Sequence, residues 1–456
     1  MSMGTSRLGR SKGSRRLGVG VSVFACAAAA ALIGPSTSVA ATGPTTTRVS
    51  VMSSGQERFK DSYAPQISKS GRWVAFESEA KLVPTDTNGV RDIYRRDRQT
   101  GKTTLVSVAA DGGPSAGPSV NPSMTPDGRY IAFEVFADDV APGDDNHNDD
   151  IVVRDMTNGT TELASLTSDE SQTVGANQWS TQPAISEDGR YVAFLSVATD
   201  LAPGDFADTA DVFVRDRQAG TTNIASLTST GGFSQGGENF GPPTISADGR
   251  FVAFWSRATN LVPNDTNDTV DIFLRDRQLN TTVRASVGPG GVQADSGSGY
   301  PALSGNGRYL AFASNATNLT TPSGSTFGNV IVRDLTTGTN ELASVGTDGL
   351  AGTGATFPSL SRSGRFVAFS ASAPSLVSGD MNNQTDVFVR DLVNDATRRV
   401  SVSTAGAEAD GPSGLRSVPA ISSNGTHVAF DSRATNLVPN DNNGVLDVFA
   451  RLNWAS

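Results

Sequence analysis

The chain has 456 residues, 37% hydrophobic and 18% charged, with one cysteine and a formal net charge of −10. A single cysteine excludes a disulfide framework. The acidic balance argues against nucleic acid and anionic membrane surfaces as partners, because both repel such a surface.

In chain order, the first element is an export signal over residues 1–40. Arg7, Arg10, Lys12, Arg15 and Arg16 form a basic start, and an apolar Ala-rich run extends from Leu17 to about Ile33. Ser38-Val39-Ala40 then supplies small residues for cleavage after Ala40. The run is too short to predict a membrane span. Ser14-Arg15-Arg16-Leu17 is compatible with twin-arginine export, and an ordinary Sec signal fits equally. Cys26 lies inside the apolar run behind the bulky Phe24, a poor lipid-attachment context, and is expected to leave with the signal. The mature chain, residues 41–456, then keeps 31 basic against 46 acidic residues, net −15, and no thiol.

Next comes Thr46-Thr47-Arg48-Val49-Ser50-Val51, a short β-type segment whose partner becomes clear only at the other end of the chain. Seven copies of one phrase follow. They begin at Gly71, Gly128, Gly189, Gly249, Gly307, Gly364 and Gly425, spaced 57, 61, 60, 58, 57 and 61 residues apart. Six read Gly-Arg-aromatic-aliphatic-Ala-Phe; the seventh is Gly425-Thr426-His427-Val428-Ala429-Phe430. A fixed period of this size means a repeat architecture.

The second repeat shows the plan. Pro122 to Thr125 predicts a strand (a), Asp127-Gly128 a tight turn, and Arg129 to Phe133 an apolar strand (b). A polar loop leads to Ile151-Val152-Val153 (c), closed by Arg154-Asp155. Asn158-Gly159 turns the chain into Glu162 to Leu166 (d). Strands b and c are near-continuous apolar runs, so both faces are buried. Four antiparallel strands per repeat, stacked between like neighbours, predict an all-β, seven-bladed propeller occupying 41–456 as one domain.

The d signature occurs after six repeats, as Thr103 to Val108, Thr161 to Leu166, Thr222 to Leu227, Thr282 to Val287, Thr339 to Val345 and Thr397 to Val402. The seventh set stops at Asp447 to Arg451. Thr46 to Val51 supplies the missing strand, completing blade 7 and removing two open sheet edges. Strand c ends in Arg-Asp six times, at Asp97, Asp155, Asp216, Asp276, Asp334 and Asp391, with Leu452 in the seventh. These aspartates are expected to bond the N–H groups of the c–d turn.

Thr125-Pro126-Asp127-Gly128-Arg129-Tyr130-Ile131-Ala132-Phe133, a strand ending in Arg-Asp and then Asn-Gly-Thr resemble the WD40-like (PD40) repeat of TolB-type β-propellers. The resemblance runs from about Thr46 to Arg451. It implies the fold and leaves the task open, since one propeller hosts many. The repeats here are longer than the TolB type, through an Asx-rich b–c loop and a Gly/Ser-rich d–a loop.

That b–c loop repeats Asp-x-Asn-x-x-x-Asp. It reads Asp86, Asn88, Asp92 in blade 1; Asp144, Asn146, Asp150 in blade 2; Asp265, Asn267, Asp271 in blade 4; Asp380, Asn382, Asp386 in blade 6; and Asp441, Asn443, Asp447 in blade 7. Blade 3 keeps Asp205 and Asp211 around Ala207; blade 5 has Ser323, Ser325 and Asn329. Closely spaced oxygens suit calcium, but three side chains do not fill its shell and no glutamate closes the loop. The favoured reading is Asx-turns that cap strand c, with calcium as the alternative.

No nucleophile elbow or His-x-x-x-His pair is present. His427 replaces a core aromatic; His147 stands among loop aspartates as a solvated residue. The long d–a and b–c loops share one face, and the former hold Trp179, Phe233, Phe240 and Tyr300, the last expected to wedge between blades. The predicted function is a secreted, monomeric, non-catalytic propeller binding a protein or a cell-wall or environmental glycan through that face. The alternative is an extracellular carboxylate-based hydrolase or lyase, calcium-assisted, at the channel mouth. Protein from culture medium is expected to begin near Ala41; recovery only from membranes, with an acylated Cys26, would reverse the export reading.

Overall fold

Strand b of every repeat has no polar face to turn to water, and the structure buries it completely. In the computed structural model, which describes residues 44–174, 178–204, 209–235, 237, 239–320, 327–346 and 348–452, the Val/Ile/Leu, Ala and Phe of all seven phrases are at most 1% exposed. The export segment and Cys26 lie outside the described residues.

Seven four-stranded antiparallel sheets result. Blades 1 to 6 span 62–105, 119–163, 180–224, 239–284, 298–342 and 356–399. Each is a meander with strands a, b, c and d in sheet order. In blade 2 these are Ser119–Met124, Tyr130–Val135, Asp150–Asp155 and Thr160–Leu163. Strand a begins three residues earlier than the sequence suggested, and strand d ends three residues sooner. Past the end of d, the d–a loop folds back on itself through isolated bridges such as Val108 to Pro114 and Val287 to Gln293.

Blade 7 consists of Ala420–Ile421, His427–Ser432, Asp447–Leu452 and, from the other end of the chain, Thr46–Arg48. The register is Thr46 to Arg451, Thr47 to Ala450 and Arg48 to Phe449. The ring is therefore latched as the strand count required.

Blades are joined by a contact written into the repeated phrase. The glycine has positive φ, and a Cβ there would collide with the aromatic ring of the preceding blade. Gly128 faces Trp73 at 2.6 Å, Gly189 faces Tyr130 at 2.4 Å, Gly249 faces Tyr191 at 2.1 Å and Gly307 faces Phe251 at 2.8 Å. The series runs on through Gly364 on Tyr309 and Gly425 on Phe366, each at 2.2 Å, and closes with Gly71 on His427 at 2.4 Å. His427 is thus the core aromatic of blade 7. Burial, with the nearby Arg98 charge, pushes its pKa down to about 4.

Outer strands are tied as well. The penultimate residue of strand c is an arginine, and in blades 1, 3 and 7 it reaches carbonyls of the blade before it: Arg96 to Met52 at 2.9 Å, Arg215 to Thr167 at 2.9 Å, Arg451 to Ser403 at 2.9 Å.

The strand c aspartate does more than cap its turn. Asp97 accepts the Gln99 N–H at 3.0 Å, as expected, and also takes Arg72 of strand b bidentately at 3.0 and 2.7 Å. The same fork recurs at Arg129–Asp155, Arg190–Asp216, Arg250–Asp276, Arg308–Asp334 and Arg365–Asp391. Blade 7 has lost both members together, as Thr426 and Leu452. The arginine holds Asp155 and Asp391 down to about 2.

Gly249→Ala must move Tyr191 and adopt a φ of +71° that L side chains resist. It is expected to destabilise the fold by about 2–4 kcal/mol, combining overpacking and left-handed strain. An unchanged denaturant midpoint would mean that this contact does not set blade spacing.

Candidate functional site

Strand a lines the central channel, and in six blades it is bent. The sequence places a proline at Pro65, Pro122, Pro183, Pro242, Pro301 and Pro358, and pairing with strand b slips at each of these points. The residue before the proline is left-handed: Ala64 (φ 51°), Asn121 (55°), Gln182 (55°), Gly241 (60°), Tyr300 (54°) and Phe357 (54°). Such a conformation is costly for a non-glycine residue and more so before proline. A bulge of this kind re-aims a side chain, and here it serves the channel, whose cavity is about 630 Å³.

An ion pair spans the channel at the a–b turns. Arg362 of blade 6 meets Glu187 of blade 3 at 3.2 Å at the a–b turns, with both residues lining the cavity. Gly305 sits against this pair, where a Cβ would lie 2.4 Å from Glu187.

Each of the six bulges faces the residue that follows Ala-Phe in strand b, a variable position of that strand: Glu77, Glu134, Leu195, Trp255, Ala313 and Ser370, with Asp431 the counterpart in blade 7. Blades 7, 1 and 2 carry carboxylates there, and all three are buried. Glu77 accepts the N–H of Asn121, one blade on, at 2.6 Å; the Asn121 amide donates to Glu134 at 2.8 Å. Glu134 also accepts the Thr181 hydroxyl and, at 3.4 Å, the Gln182 N–H. The bulges strand these N–H groups, and the carboxylates satisfy them. Burial pushes Glu77 up to about 7, against the lowering by the Asn121 N–H and Arg91. Burial likewise raises Glu134, and Asp431 to about 6. Arg91 lies 3.5 Å from Glu77 and 4.7 Å over the Tyr63 ring. Gln182 Oε1, buried at the channel wall, has no hydrogen-bond partner among the described residues.

The opposite arc is aromatic. Tyr300 stands between Trp255 of blade 4 (ring centroids 4.9 Å) and Phe357 of blade 6 (4.8 Å, edge to face). Trp255 fits because residues 241 and 299 are glycine; a Cβ would lie 2.4 Å and 2.6 Å from its ring. Tyr300 was expected as a loop wedge. It does bridge blades, but from inside strand a, as a channel-lining residue beside a second cavity of about 510 Å³. Phe240 also opens a strand rather than lying in a loop; Trp179 and Phe233 remain in d–a loops.

The Asp-x-Asn-x-x-x-Asp residues are not gathered into one site; each set stays in its own blade. The asparagine forms an Asx-turn every time, its Oδ1 accepting from Val90 (3.1 Å), Asn148 (3.0 Å), Thr269 (3.4 Å), Gln384 (2.8 Å) and Val445 (3.3 Å). The last aspartate opens strand c and accepts a serine two residues past the end of strand d, as in Ser107 to Asp92 at 2.6 Å and Ser50 to Asp447 at 2.5 Å. In three blades a strand d arginine lies between the two aspartates. Arg284 Nη1 is 3.1 Å from Asp265 and 3.6 Å from Asp271; Arg399 Nη1 is 3.1 Å from Asp380 and 3.4 Å from Asp386. Arg48 Nη1 is 2.9 Å from Asp441 and 3.3 Å from Asp447. In blade 1 the Tyr94 hydroxyl donates to Asp86 instead. Blade 2 has neither. Of the degenerate loops, Asp205, Ala207, Ser323 and Ser325 lie outside the described residues; Asp211 and Asn329 open their strands. His147 is exposed and pairs with Asp138. Beside it, on the rim of blades 2 and 3, lies a larger cavity of about 1220 Å³ that Trp179 and Val174 help to line. Among the described residues no helix is long and apolar enough to cross a membrane.

No family model and no curated protein matches the sequence. Among solved structures the chain is similar to TolB from Acinetobacter baumannii, at 16% identity and TM-score 0.40, covering 74% of this chain and 62% of that one. It is also similar to oligogalacturonate lyase from Vibrio parahaemolyticus, at 12% identity and TM-score 0.51, covering 90% and 91%. Oligogalacturonate lyase in complex with manganese matches at 12% identity and TM-score 0.53, covering 90% and 96%. The chain thus spans less than two thirds of that TolB, and at these identities the likeness shows the fold alone. The seven blades and their repeated phrase fit the TolB-like repeat that the sequence resembles.

The buried carboxylates set a pH dependence. Glu77, Asp92 and Asp431 have folded pKa values of about 7, 6 and 6, above those of the unfolded chain. Between the unfolded and folded values the folded state binds more protons, so stability falls as pH rises through that window. His427, lowered to about 4, works in the opposite sense with one proton. The fold is expected to be more stable near about pH 5.5 than about pH 8, with a shallower drop in Glu77→Gln. A midpoint that rises over this range would contradict the assignment.

Proposed function

We propose that this chain is an exported, non-catalytic propeller that binds an oligosaccharide in the channel, entering from the long-loop face. The observation that carries the reading is that Tyr300 and Phe357, backed by Trp255, line one side of the channel cavity and Glu77 the other, with Glu134 and Asp431 buried behind the acidic side. Aromatic faces pack on the apolar face of a sugar ring, while a few fixed polar groups orient its hydroxyls. Asn121, Gln182 and Arg91 stand where such hydroxyls would be read. The carboxylates and the mature charge of −15 favour a neutral or amino-substituted glycan. A polyanion such as oligogalacturonate suits this channel poorly, whatever fold its lyases share.

A second reading rests on Glu77 alone. A carboxyl protonated up to about pH 7 in a cavity wall has the property of a general acid. Against that role, Glu77 and Glu134 are already committed to bulge N–H groups. Calorimetry with neutral, amino-substituted and uronate oligosaccharides separates the readings. Phe357→Ala is expected to weaken binding of the neutral or amino-substituted class by up to about tenfold, the value of one ring contact. Affinity confined to uronates, or left unchanged by Phe357→Ala, would contradict the proposal; Glu77-dependent release of new reducing ends or unsaturated products would establish the enzyme.

A further inference from the structure

Three blades carry a fixed internal cation, and the fourth shows what happens without one. In blades 4, 6 and 7 the residue opposite the third position of strand c is Arg284, Arg399 or Arg48, paired with Phe273, Phe388 and Phe449. Its Nη1 lies between the two loop aspartates, at 2.9–3.1 Å from the first. Its Nη2 reaches the carbonyl just before that aspartate: Asn264 at 3.2 Å, Gly379 at 3.3 Å, Asn440 at 3.4 Å. All three carbonyl residues are left-handed, a conformation that Gly143 of blade 2 shares at φ 83°. The guanidinium thus marks the position of a positive charge with two carboxylates and a carbonyl around it.

Blade 2 has the same loop and the same register, with Leu163 opposite Val152 in place of the arginine. Its two aspartates are as buried as the others: Asp150 is 1% and Asp144 8% exposed. One oxygen of each is used, Asp150 Oδ1 by the Ser165 hydroxyl and Asp144 Oδ1 by Gln172 at 2.9 Å. The other oxygens, Asp144 Oδ2 and Asp150 Oδ2, have no hydrogen-bond partner among the described residues. The Asn146 amide, whose counterparts donate to the second aspartate at 3.2, 3.0 and 2.8 Å, is drawn toward Thr173 at 3.4 Å while it still acts on Asp150. Two buried carboxylates of one loop, each with an unpartnered oxygen and near enough for Asp144 to act on the charge of Asp150, are costly unless a cation joins them.

We propose that blade 2 binds a calcium ion between Asp144 Oδ2 and Asp150 Oδ2, in the place that an arginine Nη1 takes in blades 4, 6 and 7. The Gly143 carbonyl supplies a third oxygen. Gly143 and Asn146 also line the rim cavity, from which water can complete the shell that a hard cation of this size requires. Blade 1 does not repeat the arrangement, since the Tyr94 hydroxyl already fills the gap beside Asp86.

The test is titration of the mature chain with calcium chloride, followed by calorimetry and thermal melting. A weak site of the extracellular kind is expected, with a dissociation constant of roughly 0.1–1 mM, and melting should rise with calcium. Leu163→Arg puts the missing guanidinium into blade 2; it should abolish the binding and raise melting in chelator. Asp144→Asn should abolish the binding without that gain. No heat and no melting shift in millimolar calcium would overturn the proposal, as would calcium binding in folded Leu163→Arg equal to that of the parent chain.

Discussion

Blade spacing rests on an aromatic ring laid against a glycine that has no Cβ. Both partners sit in the same hexapeptide, so every blade offers a ring to the next and a glycine to the one before. The ring is fixed in radius because no side chain larger than hydrogen fits at Gly128, Gly189 or Gly249. It closes because His427 and Gly71 make the seventh contact with the same geometry as the other six. A histidine serves there only in its neutral form, which burial enforces. The N-terminal strand then seals the outer edge of a ring whose inner packing is already continuous.

This division of labour explains which parts could be read from the residues. The phrase, its period and the count of d strands carry fold and closure, since hydrophobic alternation and turn glycines are local signals. The Arg-Asp fork between strands b and c was missed, although Thr426 and Leu452 signal it: two positions 26 residues apart change together in the one divergent repeat. Tyr300 was misplaced for a different reason. Its position follows from a bulge that shifts register before proline, and pattern alone does not locate a bulge. The acidic arc and Trp255 were legible in principle, as the variable residue after Ala-Phe, and Tyr300 and Phe357 as the residues before the strand a prolines. Their meaning needed the ring, which sets blades 7, 1 and 2 opposite blades 4 to 6.

Charge follows the same logic of repeated position and local exception. The loop aspartates are held close together by Asx-turns and a serine just past strand d, so each pair needs a positive group or a hydrogen. Arg284, Arg399 and Arg48 supply the first and the Tyr94 hydroxyl the second. Carboxylates along the channel are handled differently, through backbone N–H groups that the bulges leave unpaired. Buried acid groups of an already acidic chain are therefore satisfied blade by blade.

A crystal structure of the mature chain grown with a neutral oligosaccharide tests the central claim most directly, because it decides between the channel and the rim cavity. A sugar ring packed on Tyr300 or Phe357, with hydroxyls turned toward Asn121 and Glu77, is the expected result. Sugar bound at the rim beside Trp179, with the channel filled only by solvent, would contradict it.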